Sequence, residues 1–193
     1  MFTAKITDEQ RRYAYGLVTK TNFGKRKIKE GELNTSGNII QQYTGILGQV
    51  VLADLIDHPR PDGTGGYDGG VDFMIRGYAV DLKTMARDYD VSPHYVNNIW
   101  ESQCDDKGSK TDVYAFASIN KKTRIFTFCG LYPRYLVYNE RYVPKGANRE
   151  LYKKGEVIGN FALKAGMYEI PNTKLIQVNS SFELADKVSH IYL

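Results

Sequence analysis

The clearest pattern in the chain is an alternation of apolar and polar positions in VDFMIRGYAVDLKTM (71–85). Val71, Phe73 and Ile75 share one face of a strand, Val80 and Leu82 share the matching face of a second, and Arg76-Gly77 supplies a two-residue turn. Elsewhere the spacing is helical. Thr7 followed by Gln10 forms a capping-box pattern and predicts a helix from about Asp8 to Lys20, stopping near Gly24. SGNIIQQYTGILGQVVLADLI (36–56) carries apolar residues at 39, 40, 43, 46, 47, 50, 51 and 55, which predicts a second helix with Ser36 as its cap. Pro59 and Pro61 are expected to end it, followed by the turn-rich PDGTGGYDGG (61–70).

Further along, TDVYAFASI (111–119) and TRIFTFCG (123–130) read as two strands paired across a turn. Residues 86–110 read as irregular with a short helix, LYPRYLVYN (131–139) as a short helix, and 139–166 as weakly patterned. MYEIP (167–171) and KLIQV (174–178) read as short strands, and SSFELADKVSHIYL (180–193) as a serine-capped terminal helix. This order predicts an α/β (α+β) fold with a central mixed sheet flanked by helices. The 193 residues suit a single domain, with no internal repeat or clear linker.

Composition narrows the class. Apolar content of 42% and charged content of 25% are those of an ordinary globular protein. The chain has no apolar run long enough to span a membrane and no basic-then-apolar N-terminus, so no membrane association is expected and the cytoplasm is the expected compartment. Cys104 and Cys129 lack metal-site spacing and are too few for a disulfide framework, so reduced thiols are expected, with Cys129 in the core. His58, His94 and His190 are scattered and read as loop or surface residues.

The net charge of +4 is mild, but its distribution is uneven. Lys25, Arg26, Lys27 and Lys29 form a basic arm, Lys121, Lys122 and Arg124 crowd one turn, and fifteen tyrosines accompany them. Such a mixture suits phosphate neutralisation with base or sugar contact, or a solvated surface with tyrosines on half-buried strands.

The hairpin also carries Asp72, Asp81 and Lys83. With Arg76-Gly77 as the turn, Ile75 pairs with Tyr78 and, counting outward, Asp72 with Asp81. Opposed carboxylates repel across a sheet. A divalent cation removes that penalty, and Mg²⁺ takes one or two carboxylates with water and phosphate oxygens. Lys83, on the same face as Asp81, would then lie near a scissile phosphate. Alternatively, both acids face solvent and Lys83 is a salt-bridge partner. A second Asp-x-Lys, Asp105-Asp106-Lys107, lies in a polar stretch without strand pattern and reads as chance.

In these residues the sequence resembles the PD-(D/E)XK nuclease superfamily, Asp72 coming from VDF and Asp81 and Lys83 from VDLK. The likeness covers roughly residues 36–130, leaving the first helix and basic arm (1–35) and a C-terminal extension (131–193) around it. The TDVYAF context is similar to small phage or bacterial members. The resemblance implies a restriction-endonuclease-like core and a DNA endonuclease, more than an exonuclease, leaving 5′-phosphate and 3′-hydroxyl ends. It implies Mg²⁺, or Mn²⁺ in its place, held by Asp72, Asp81 and the Leu82 carbonyl. GILGQVV (45–51) matches the family's helix context, but Gln49 stands where a glutamate is usual, and Gly45 and Gly48 would let the helix approach the sheet. Gln103 is a further polar candidate. The basic residues named above would hold DNA, and a homodimer would suit double-strand cutting. Two rivals remain: a catalytically inactive nuclease-fold protein that binds DNA, with Gln49 marking the loss, and an interaction protein that presents its tyrosines.

Overall fold

The structure is a computed structural model, and it describes residues 1–20, 36–63, 70–100, 103, 110–139, 150–152, 157–158, 161–162 and 166–192. Strand β1 (Phe2–Lys5) leads into α1 (Asp8–Lys20) and α2 (Ser36–Leu55). The hairpin is β2 (Phe73–Ile75) and β3 (Tyr78–Arg87), followed by β4 (Val96–Trp100), β5 (Val113–Asn120) and β6 (Ile125–Pro133). Then come α3 (Arg134–Asn139), β7 (Glu150–Tyr152), β8 (Val157–Ile158), β9 (Phe161–Ala162), β10 (Met167–Pro171) and α4 (Leu184–Ser189).

The fold is mixed α/β. Its main sheet runs β1-β6-β5-β3-β2, with β3 and β5 parallel and the other pairs antiparallel. A smaller antiparallel sheet, β4-β10-β7, and the ribbon β8-β9 complete the described strands. β5 is buried along its whole length because both its faces are covered. Val113, Ala115 and Ala117 meet Ala14 of α1, Val50 and Val51 of α2 and Leu184 and Val188 of α4 in the main core. Tyr114 and Phe116 face a second cluster with Ile99 of β4 and Tyr168 and Ile170 of β10.

Local chemistry explains the elements that alternation and capping predict. Thr7 Oγ1 accepts from the Gln10 N–H (3.1 Å) while Gln10 Oε1 accepts from the Thr7 N–H (2.9 Å), so α1 begins with a reciprocal cap. α2 ends ahead of its prolines: Asp57 takes a left-handed conformation (φ 53°) and the His58 N–H reaches the Ala53 carbonyl (2.9 Å), a Schellman ending. At the hairpin turn both Arg76 (φ 52°) and Gly77 (φ 86°) have positive φ, as the tight turn between twisted strands requires.

Several expectations need correction. β1 was not anticipated; its four residues become a strand through pairing with β6. β4 falls in the stretch expected to be irregular, because Asn97 and Asn98 break its apolar pattern. Asn97 is buried nonetheless, its amide donating to the Ile170 carbonyl (3.1 Å) and Asn172 Oδ1 (2.8 Å). KLIQV forms only one bridge, Ile176 to Leu131, after a 3-10 turn at Asn172–Lys174. The terminal helix is short, flanked by 3-10 turns at Ser181–Glu183 and His190–Tyr192, and Ser180 makes no side-chain cap bond. No helix among the described residues is long and apolar enough to cross a membrane.

Candidate active site

The hairpin register agrees with the sequence at the turn and departs from it at the open end. Ile75 pairs with Tyr78, Met74 with Ala79 and Phe73 with Val80, and there the ladder stops. The Asp72 N–H donates to the Val80 carbonyl (2.9 Å), and the Asp72 carboxylate, through Oδ2, accepts the Leu82 N–H (2.7 Å). A side chain thus occupies the place of a main-chain acceptor, and the Asp72 carboxylate is turned toward the strand edge. A residue's N–H and C=O leave a strand on the same side. The Leu82 carbonyl therefore faces the same gap beyond the end of β2.

Gln49, in the middle of α2's buried stretch, donates from Nε2 to Asp72 Oδ1 (2.6 Å). Its amide nitrogen, rather than its carbonyl, meets the acid. A glutamate in that orientation would oppose two carboxylates at hydrogen-bond distance; glutamine instead locks Asp72 in place. The helix comes this close because of Gly48: a Cβ there would lie 2.8 Å from Thr84 Cβ and 2.9 Å from Thr84 Cγ2. Gly45 plays no such part, since a Cβ on it meets nothing within 4 Å.

Asp81 and Lys83 pair in register with Tyr114 and Phe116, which places them on the sheet face opposite α2. Val80 and Leu82 point into the main core, as alternation predicts. The Asp81 side chain retains only 6% exposure, and Lys83 Nζ lies 2.7 Å from its Oδ2. Gly70, with φ 86°, passes directly over this carboxylate: a Cβ on it would stand 3.1 Å from Asp81 Oδ2 and 3.2 Å from Thr111 Oγ1. Thr111 Oγ1 in turn donates to the Gly70 carbonyl (2.8 Å). Gly70 and Thr111 are site residues that sequence reasoning missed; the signal was a glycine two residues before the first acid.

The structure thus links Gln49, Asp72 and the Leu82 backbone by hydrogen bonds and Asp81 to Lys83 by an ion pair, around one strand edge. Oxygen donors available to a hard cation are the two carboxylates and the Leu82 carbonyl. Among the described residues no group of three or more His, Cys, Asp or Glu side chains is placed to hold a metal ion. Gln103 accepts from the Trp100 N–H at Oε1 (3.3 Å) and, at its carbonyl, from the hydroxyl of Tyr114 (2.9 Å), the residue in register with Asp81.

Lys121, Lys122 and Arg124 do share one exposed turn, clipped by Asn120 Oδ1, which accepts from the N–H groups of Lys122 (2.9 Å) and Thr123 (3.1 Å). That turn lies at the Arg87 end of β3, about 13 Å along the strand from Lys83. Its charges are partly answered: Lys121 pairs with Asp88 (3.1 Å), Arg124 with Asp8 (3.0 Å), and Lys122 sits over the Tyr89 ring (5.1 Å). Lys25, Arg26, Lys27, Lys29 and Cys104 lie outside the described residues. Cys129 is buried, and desolvation pushes its thiol up to about 11. His94 and His190 are exposed, and His58 is half-buried with its ring edge-on to Phe73 (5.3 Å).

No protein-family model, curated protein or solved structure matches the chain.

Proposed function

We propose that this protein is a metal-dependent nuclease of the PD-(D/E)XK kind, with a restriction-endonuclease-like core, that hydrolyses phosphodiester bonds in DNA inside the cell. The observation that carries the reading is the double engagement of Asp72, bonded by Gln49 of α2 at 2.6 Å and by the Leu82 N–H of β3 at 2.7 Å. A solvent-facing surface acid has no need of two fixed donors from separate elements. An acid that must present its remaining lone pairs in one direction does.

The donor set suits Mg²⁺, or Mn²⁺ in its place, with Asp72, Asp81 and the Leu82 carbonyl as the residues that would hold it. Bound there, the ion would polarise a phosphoryl oxygen and acidify a water molecule. Gln49 is a positioning residue for Asp72. Lys83 pairs with the buried Asp81, and with 22% of its side chain exposed it can also reach an incoming phosphate and offset the charge that builds on it.

One observation favours a second reading. The Lys83–Asp81 pair already neutralises the buried acid without a metal ion. A nuclease fold that binds DNA and no longer cuts it would look the same at this pair.

Incubation with supercoiled plasmid and with single-stranded DNA, in Mg²⁺, Mn²⁺ or EDTA, separates the readings. Cutting that needs the cation and disappears in folded Lys83→Ala and Asp72→Asn proteins supports the nuclease. DNA retained on a gel with no cutting under either cation transfers the reading to the binding protein. Full activity in both variants would sink the assignment of the site.

A further inference from the structure

A cleft on the other face of the sheet from Asp81 has no part in the site described above. It lies between α1, α2 and the β5–β6 turn, encloses about 290 Å³, and is floored by Leu47 and Ile119. Tyr43 forms one wall and Arg11, Lys121 and Arg124 the rim. Tyr15, 60% exposed, stands edge-on to Tyr43 with ring centroids 6.4 Å apart.

The rim charges are incompletely answered. Arg11 Nη1 and Arg124 Nη1 both lean on a single oxygen, Asp8 Oδ1, at 3.1 and 3.0 Å. One carboxylate between two guanidiniums leaves a positive charge over, and both guanidiniums keep 40% or more of their side-chain surface in solvent. Lys121 is half-exposed in its pair with Asp88. An apolar floor with an aromatic wall suits a flat, weakly polar ring, and a rim of two arginines and a lysine suits a phosphate. The volume is at the low end for a small-molecule site, the size of one nucleotide rather than of an extended ligand. A base can enter such a cleft only when it is unpaired.

We infer that this cleft is a nucleotide subsite that takes an unpaired base of single-stranded DNA against Tyr43 and its phosphate on Arg11, Lys121 and Arg124. The inference rests on the nuclease reading for its choice of ligand. It narrows the substrate to DNA with a single-stranded stretch. Ala86, which lines the cleft, is three residues along β3 from Lys83, about 10 Å, and on the other face of the sheet, so a strand held at both sites must pass round the sheet edge.

The test is fluorescence anisotropy in EDTA with a labelled oligothymidine of twelve or so nucleotides (about 12) and a blunt hairpin duplex of similar charge. The variants are Tyr43→Leu, which keeps apolar packing and removes the ring, and the double change Arg11→Gln/Lys121→Gln, each checked by thermal melting. The subsite predicts tighter binding of the single strand than of the duplex. Tyr43→Leu should weaken the single strand about tenfold and leave the duplex within about twofold. The double variant should weaken both and flatten the salt dependence. Equal affinity for the two probes, or a folded Tyr43→Leu protein that binds the single strand as the wild type does, overturns the subsite. Plasmid cutting is scored separately. Cutting with inert cleft variants overturns the subsite and leaves the nuclease, whereas ring-dependent single-strand binding without cutting keeps the subsite and overturns the nuclease.

Discussion

Gly48 and Thr84 are in such close contact that α2 and β3 meet without room for a single methyl group between them: a Cβ on Gly48 would lie 2.8 Å from Thr84 Cβ. The approach delivers the next residue, Gln49, to Asp72. Gly48→Ala must push the helix away from the strand, and we expect a loss of about 1–3 kcal/mol. Gly45→Ala meets open space in the same helix and should gain up to about 1 kcal/mol from helix propensity. Thermal or urea melts of the two variants check the contrast; equal behaviour would mean the close approach is absent.

Gln49→Glu replaces the amide donor to Asp72 with a second carboxylate. In EDTA the variant should melt below the wild type, because two acids then face each other where one hydrogen bond stood. With a cation site at this edge, added Mg²⁺ or Mn²⁺ should raise its melting temperature by more than it raises that of the wild type. A variant insensitive to both ions would count against metal binding by Asp72.

Arg60 ties two acids and one ring, from two helices, together. It bonds Glu9 at 2.7 and 2.8 Å and Asp54 at 2.6 and 2.7 Å, and lies over Tyr13 at 5.0 Å. The bonds to Arg60 hold both carboxyls below their ordinary range. A depressed carboxylate contributes stability above its unfolded pKa, and that contribution is lost as pH falls through the folded value. Arg60→Gln should therefore lower the melting temperature by about 2–4 °C at pH 7, and the difference should shrink as pH falls below the ordinary carboxylate range of about 4. A gap that did not narrow with falling pH would assign the effect to packing on Tyr13 instead.

Cys129 is the extra residue of a bulge: Phe116 pairs with Gly130 and Ala117 with Phe128, so β6 passes Cys129 over. Its side chain is buried in the second cluster, and with a thiol pushed up to about 11 it is protonated at neutral pH. In a Cys104→Ser background, an aromatic disulfide reagent at pH 7.5 should label Cys129 only at the rate of unfolding. Labelling within seconds in the absence of denaturant would contradict the buried position.

Alternation and turn chemistry were enough to specify the hairpin: a two-residue turn with glycine allows only one register, and the apolar set Phe73, Ile75, Val80 and Leu82 allows only one face. The reciprocal Thr7–Gln10 cap likewise fixes the start of α1 from four adjacent residues. These are local effects, with cause and consequence a few residues apart. β1 and β4 were hidden because neither owes its form to its own pattern. β1 exists by pairing with β6, and β4 by pairing with β10 while it buries an asparagine that only distant carbonyl oxygens satisfy. The candidate site divides the same way. Asp72, Asp81 and Lys83 were legible in sequence as candidates from their place in the hairpin, Asp72 just ahead of β2 and the other two on β3. That Asp72 leaves the ladder to accept the Leu82 N–H, that Gln49 donates to it, and that Gly70 caps Asp81 depended on segments up to 23 residues apart packing at one strand edge. The arginines and tyrosines of the cleft were not legible as a group either, because Arg11, Tyr43 and Lys121 come from three separate elements. Only the layering of α1 and α2 on the sheet brings them to one opening.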